Sequence, residues 1–271
     1  MPVQSSPASI PRVYGKRKMN NMLVLKLGGS VITEKQSAGV IDHTRLTAIA
    51  EMIASHHDHP LILIHGAGSC GHPEAEKYGI QGGVGQTNAI GIGETHRAVA
   101  GLNATVVSVL RDAGLDAIGV HPLSGSLAEN GRLISFETGH LAKMAELGLV
   151  PVLHGDVVMD RAKGACIVSG DQLVLRIAEG VAPCRVGLAT DVPGVLSGGN
   201  VVRTISRGTL NGIDLGNSQK TDVTGGMRGK VEELLTLADA GIISSIFHVD
   251  RLGAFLAGEE HGGTTIMGAD V

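Results

Sequence analysis

From Leu23 onward the chain alternates between two hydrophobic periods. Continuous aliphatic runs at Leu23–Leu27, Leu61–Ile64, Ala117–Val120, Val150–Leu153, Arg185–Ala189 and Ile242–Val249 read as strands buried on both faces. Between them, Thr95–Leu110 sets Val99, Leu102, Val106 and Leu110 at steps of three and four. Met227–Ala240 does the same with Met227, Val231, Leu234 and Ala238. Both are single apolar helix faces. The alternation predicts an α/β chain, a three-layer α/β/α sandwich around a mainly parallel sheet. Val157–Val168 departs from it and predicts a hairpin turning at Asp160–Gly164.

The strand ends carry the chemistry. Leu27 runs into Gly28-Gly29-Ser30, Ile64 into His65-Gly66-Ala67-Gly68-Ser69, Leu153 into His154-Gly155-Asp156, and Ala189 into Thr190-Asp191. Ligands of open α/β sheets bind beyond the carboxyl ends of the strands, so these four tips predict one crevice. Glycine there lets backbone N–H groups approach an anion closely.

Composition narrows the choice. Forty glycines in 271 residues without a three-residue period fit backbone-lined loops and exclude collagen. There is no Trp and only five Tyr and Phe, so the core is aliphatic and stacking platforms for nucleic acid are nearly absent. A net charge of −4 argues against nucleic-acid and membrane partners, and no apolar run reaches the length of a membrane span. Three cysteines without a C-x-x-C spacing indicate neither a disulfide framework nor a zinc site and fit a cytoplasmic setting. Residues 1–21 hold Pro7, Pro11 and a basic group, lack the apolar stretch of a signal peptide, and read as a disordered leader to a single domain spanning 22–271.

Gly66-x-Gly68-x-x-Gly71 matches a dinucleotide fingerprint, which leaves an NAD(P)-binding oxidoreductase open, although no acid follows at the required distance. A Walker A loop is absent because Val231 follows Gly229-Lys230. Lys26 lies inside an apolar strand, where a charge needs a partner. One reading is a core ion pair with Asp156 or Asp191; the other is a cation on transferred phosphate, accompanied by Lys35 and Lys230. A catalytically silent nucleotide-binding regulator would need all three lysines to be structural.

Lys26-Leu27-Gly28-Gly29-Ser30, the loop His65-Gly66-Ala67-Gly68-Ser69-Cys70-Gly71-His72-Pro73 and the stretch Asp222-Val223-Thr224-Gly225-Gly226-Met227 resemble the amino acid kinase superfamily, and within it the isopentenyl phosphate kinases. Lys77-Tyr78-Gly79, Asn130-Gly131-Arg132 and Ser169-Gly170-Asp171 extend the similarity from about Leu23 to the end of the chain. The resemblance implies ATP-dependent phosphorylation of isopentenyl phosphate to isopentenyl diphosphate in isoprenoid synthesis, with Mg2+ held by phosphates rather than by a protein metal site, and a homodimer. It implies that Lys26, Gly28, Gly29 and Ser30 hold the ATP phosphates and that Lys35 stabilises the transition state. Ala67, His72 and Gly155 would contact the acceptor, Gly68 would lie at the seam, and Asp191, Gly226 and Lys230 would belong to the nucleotide side. The family usually carries Gly where Ala67 stands and Phe where Cys70 stands, so a roomier acceptor pocket is expected. A fosfomycin-kinase-like enzyme is the nearest alternative.

His72 before Pro73 suits the first turn of a helix. His56, His57 and His59 read as a solvated helix end rather than a metal site, and His96 as part of a polar helix face near Arg97.

Overall fold

The computed structural model describes residues 21–34, 39–56, 58–210, 212–213 and 226–268. Expectations that fall on Lys35, on His57, on the leader through residue 20 and on 222–225 lie outside the described residues.

The first half runs β1 (Leu23–Leu27), α1 (Gly29–Ile32), α2 (His43–Ser55), β2 (Leu61–His65), α3 (Gly68–Lys77), α4 (Ile90–Asp112), β3 (Ala117–Gly119), β4 (Ser126–Glu129) and β5 (Arg132–Phe136). Then come α5 (Gly139–Glu146), β6 (Val150–His154), β7 (Asp156–Asp160), β8 (Gly164–Val168), α6 (Gly170–Val181) and β9 (Arg185–Thr190). The rest comprises β10 (Leu196–Ser197), β11 (Asn200–Val201), β12 (Thr204–Ile205), α7 (Arg207–Leu210), α8 (Gly226–Asp239), β13 (Ser244–His248), α9 (Leu252–Ala257) and β14 (Thr264–Ile266). All six strands expected from the aliphatic runs are present. The helix expected from Thr95 starts earlier, at Ile90.

An eight-stranded sheet has the order β12-β14-β13-β9-β1-β2-β6-β3, parallel except where β14 meets β13. Side chains alternate across each strand, so each buries two sets of apolar residues. Val24, Ile62, Ile64 and Leu188 pack against Leu173, Val174 and Ile177 of α6 and Leu234 of α8. Leu25, Leu27, Leu63 and Val152 pack against Leu46 of α2, Leu102 and Val106 of α4, and Leu252 of α9. The result is the three-layer sandwich, with β1 at its centre. Lys26, two residues from Val24, falls on the α6 side.

A second sheet, β5-β4-β7-β8, contains the expected hairpin in the register Asp160↔Gly164. Asp160 holds its turn by accepting the N–H groups of Ala162 and Lys163, both at 2.8 Å, and that of Gly131 at 2.7 Å. Burial works against its charge, but these donors win and bring its carboxyl down to about 2. The β4–β5 hairpin was not expected, because neither strand has a continuous aliphatic run. Its signal was Asn130-Gly131, both at positive φ (52° and 84°), as an Asn-Gly hairpin turn requires.

Candidate active site

The tips of β1, β2, β6 and β9 converge on one cavity of about 660 Å³. Its floor is a repeated backbone device. The Gly28 N–H donates to Ala189 O at 2.9 Å, Gly66 N–H to Leu27 O at 3.0 Å, and Gly155 N–H to His65 O at 3.1 Å. Each glycine thus extends the parallel ladder by one bond and brings its loop against the next. The loops after β1 and β2 meet backbone to backbone: a Cβ on Gly29 would lie 2.5 Å from Gly68 Cα, and one on Gly66 would lie 2.6 Å from Gly29 N. Gly68 has a left-handed φ of +55°, and its missing side chain is replaced by Thr33, whose hydroxyl accepts the Ser69 N–H at 3.1 Å. The fingerprint glycines therefore serve loop packing in this fold, which removes the basis of the dinucleotide reading.

On the β9 side, Lys26 Nζ lies 2.6 Å from Asp171 Oδ1, while Lys230 Nζ reaches Asp171 Oδ2 at 3.5 Å. Only about 7% of the Lys26 and Asp171 side chains is exposed, so the pair is largely desolvated. Burial opposes the charge on Asp171, but Lys26 and Lys230 outweigh it and hold the carboxyl below its usual range. Neither Asp156 nor Asp191 is this partner, which corrects the expected ion pair. Asp171 lies in the first turn of α6, two residues after Ser169, whose side chain caps the helix through the Gln172 N–H. Gly170 leaves room for the lysine, since a Cβ there would lie 3.0 Å from Lys26 Cε. Asp171 was visible in the sequence only as part of a motif; its role depends on α6 packing over β1.

The other end of the cavity lies under α3 and α4. Ala67, His72, Gly155, Thr95 and Val99 line it, together with the small apolar surfaces of Ala75 and Ile167. The buried hydroxyl of Thr95 has no hydrogen-bond partner among the described residues and was not singled out by sequence. The helix carrying His72 corrects one expectation. It starts at Gly68, so Pro73 is its sixth residue rather than part of the first turn. A proline there cannot bond the Ser69 carbonyl, and that carbonyl accepts the Gly39 N–H at 3.2 Å instead.

Of the expected site residues, Lys26, Gly28, Gly29, Ser30, Ala67, Gly68, His72, Gly155, Asp191 and Lys230 all line this cavity. Gly226 does not; it is buried at the head of α8, the helix that presents Lys230. Cys70 also faces elsewhere, packing on the apolar cluster of Leu27, Val31 and Leu102, so its small size does not widen the cavity. Leu102 and Val106 are core, and only Val99 of that stripe reaches the site.

His96 is not on a free polar face. Its Nδ1 lies 3.0 Å from Asp156 Oδ1, while Arg97 pairs with Glu94. His56 caps α2 with Nδ1 2.9 Å from Met52 O, and no cluster able to hold a metal ion occurs among the described residues. Behind the cavity, burial lowers His65 to about 4 and His154 to about 3, so both are neutral near pH 7.

Residues 21–248 match the family described as the amino acid kinase family. The isopentenyl phosphate kinase of Haloferax volcanii is 41% identical over 250 residues, covering 92% of this chain and 99% of that protein. The isopentenyl phosphate kinase of Methanothermobacter thermautotrophicus is 37% identical, covering 91% of this chain. Among solved structures, one described as X-ray structures of isopentenyl phosphate kinase superposes with a TM-score of 0.80 at 33% identity, covering 91% of this chain and all of that one. A more distant relative, the acetylglutamate kinase of a Roseiflexus species, is 27% identical over 264 residues.

Proposed function

The chain belongs to the amino acid kinase family, and from that premise we propose that it transfers the γ-phosphate of ATP to isopentenyl phosphate, forming isopentenyl diphosphate. One observation carries this reading. The cavity joins two lysines sharing one buried carboxylate to an acceptor end with one histidine, small residues and the apolar Val99, Ala75 and Ile167. No arginine lines it among the described residues, so a carboxylate acceptor would lack the bidentate fork that grips it well. A compact phosphate head on a hydrocarbon tail fits both halves.

Two phosphate anions must approach each other, and the chain's task is to counter their repulsion. Lys26 and Lys230 share the carboxylate of Asp171, which brings two cations to the same end of the cavity, beside the transferred group. Asp171 fixes where those cations stand. A phosphate oxygen already has the lone pairs for attack, so no general base is needed, and His72 acts as a hydrogen-bond donor to the acceptor. Asp191 and the β1 loop hold the nucleotide, and Lys35 completes the transition-state contacts. Mg2+ would be held mainly by the ATP phosphates, where it would offset part of their charge. The family resemblance supports a homodimer. The three cysteines are unpaired, which supports a cytoplasmic setting, and no described helix is long and apolar enough to cross a membrane.

A coupled ADP-release assay on purified protein tests the reading. Isopentenyl phosphate is expected to be the best acceptor, dimethylallyl phosphate usable, fosfomycin weak and acetylglutamate inactive. Ranking fosfomycin or acetylglutamate first would overturn the acceptor assignment and leave the kinase fold standing.

A further inference from the structure

His65 and His154 end adjacent parallel strands in register, and each is followed by glycine. Both are fully buried, with ring centroids 5.7 Å apart in a stacked arrangement. Each makes the same local contact: His65 Nδ1 lies 2.9 Å from Gly66 O, and His154 Nδ1 lies 3.0 Å from Gly155 O. A carbonyl can only accept, so both rings must carry their proton on Nδ1. His154 Nε2 then accepts from His121 Nδ1 at 2.9 Å, whereas His65 Nε2 has no hydrogen-bond partner among the described residues. An aliphatic side chain would fill the His65 site without leaving a buried polar atom unpaired, so packing alone does not account for a histidine there.

We propose that His65 and His154 are positioning residues that set the polarity of the acceptor cradle, each drawing the carbonyl of the next glycine out of the cavity. The proposal rests on the kinase reading above. Gly66 and Gly155 both line the cavity, and a carbonyl oxygen turned into it would repel an acceptor phosphate. The glycine amides cannot compensate, because Gly66 N–H is committed to Leu27 O and Gly155 N–H to His65 O. The next amide decides the matter. No peptide bond is cis among the described residues, and in a trans peptide the N–H points opposite to the C=O. With Gly66 O held against the buried His65 ring, the Ala67 N–H faces the other way, toward the cavity, and it makes no hydrogen bond among the described residues. Ala67 is then a backbone donor to the acceptor, and its methyl group is incidental. Neutral rings suit this role, since a fixed single tautomer holds one carbonyl in one direction.

The test compares His65→Leu, which fills the site without a donor, with His65→Asn, whose amide nitrogen sits where Nδ1 does. His65→Leu is expected to raise KM for isopentenyl phosphate about tenfold or more, with KM for ATP within about twofold, and His65→Asn to return to within about threefold of the wild type. Equal effects of the two variants, or a matching rise in KM for ATP, would overturn the proposal. Two measurements on the unaltered chain keep it falsifiable if His65→Leu does not fold. Nitrogen-15 imidazole spectra should show Nδ1–H on both rings between pH 5 and pH 8, and the Ala67 amide resonance should shift when inorganic phosphate is added. An Nε2–H tautomer on either ring, or an unmoved Ala67 amide, refutes it. Failure of the wild type to use isopentenyl phosphate would instead strike the function reading, since neither spectrum depends on turnover.

Discussion

Lys26 and Asp171 are 145 residues apart in sequence and 2.6 Å apart in space, and the second oxygen of the same carboxylate faces Lys230 at 3.5 Å. One buried anion thus sets the position of two cations at the mouth of the central strand. Removing one member of a buried ion pair leaves an uncompensated charge, at a cost on the order of 3–5 kcal/mol.

The three residues should therefore fall into two phenotypes. Asp171→Asn is expected to lower both Tm and kcat, because both cations lose the carboxylate they share. Lys230→Ala, at the more exposed end of the network, should keep Tm within a few degrees while kcat falls on the order of 10²–10³-fold, as when one transition-state donor is deleted. Lys26→Ala should lower both, because it strands Asp171 with the longer contact alone. Calorimetric Tm beside steady-state kcat sets Lys230→Ala apart from the other two; equal Tm values for Asp171→Asn and Lys230→Ala would contradict the shared-anchor arrangement.

His72→Ala should weaken use of isopentenyl phosphate while ATP affinity stays within about threefold, because α3 presents the side chain at the acceptor end. Titration calorimetry with a non-hydrolysable ATP analogue checks this. A collapse of nucleotide binding would move His72 to the donor side.

Gly29→Ala should abolish activity more completely than it unfolds the chain. Its Cβ would lie 2.5 Å from Gly68 Cα, forcing the donor and acceptor loops apart. Overpacking of this kind costs about 1–3 kcal/mol, and a displacement near 1 Å at a reacting centre can cost about 10²-fold in rate. Turnover retained above a tenth of wild type would show that the loops yield without harm.

Acid should destabilise the fold in two stages. His65 and His154 have native values near 4 and 3, below the ordinary 6.5, so below pH 6.5 the unfolded chain binds more protons than the native one. Stability is therefore full above pH 6.5 and falls as pH drops, with each ring contributing up to about 1.4 kcal/mol per pH unit. Asp160, held down to about 2, adds a loss that begins below its ordinary 3.8 and is complete once its native value is passed. Urea unfolding between pH 8 and pH 4 should show the first stage, reduced in His65→Asn. A flat profile from pH 7 to pH 5 would contradict the neutral buried pair.

The amino-acid sequence by itself determined the sandwich, because aliphatic runs and 3.6-residue periodicity are local patterns that read directly into strands and helices. It also placed the crevice, since glycine-rich tips announce backbone-lined loops, and ten of the expected residues do line one cavity. Tertiary structure alone decided which groups face each other across it. Asp171 became the partner of Lys26 because α6 packs its first turn over β1, a contact between segments 145 residues apart that no local pattern encodes. Cys70 turned toward the core because α3 begins at Gly68, and that starting point fixes which way every later side chain on the helix points. His65 and His154 looked like isolated residues until the parallel register of β2 and β6 stacked them. Register is a property of two strands together, and a single stretch of sequence carries only one side of it.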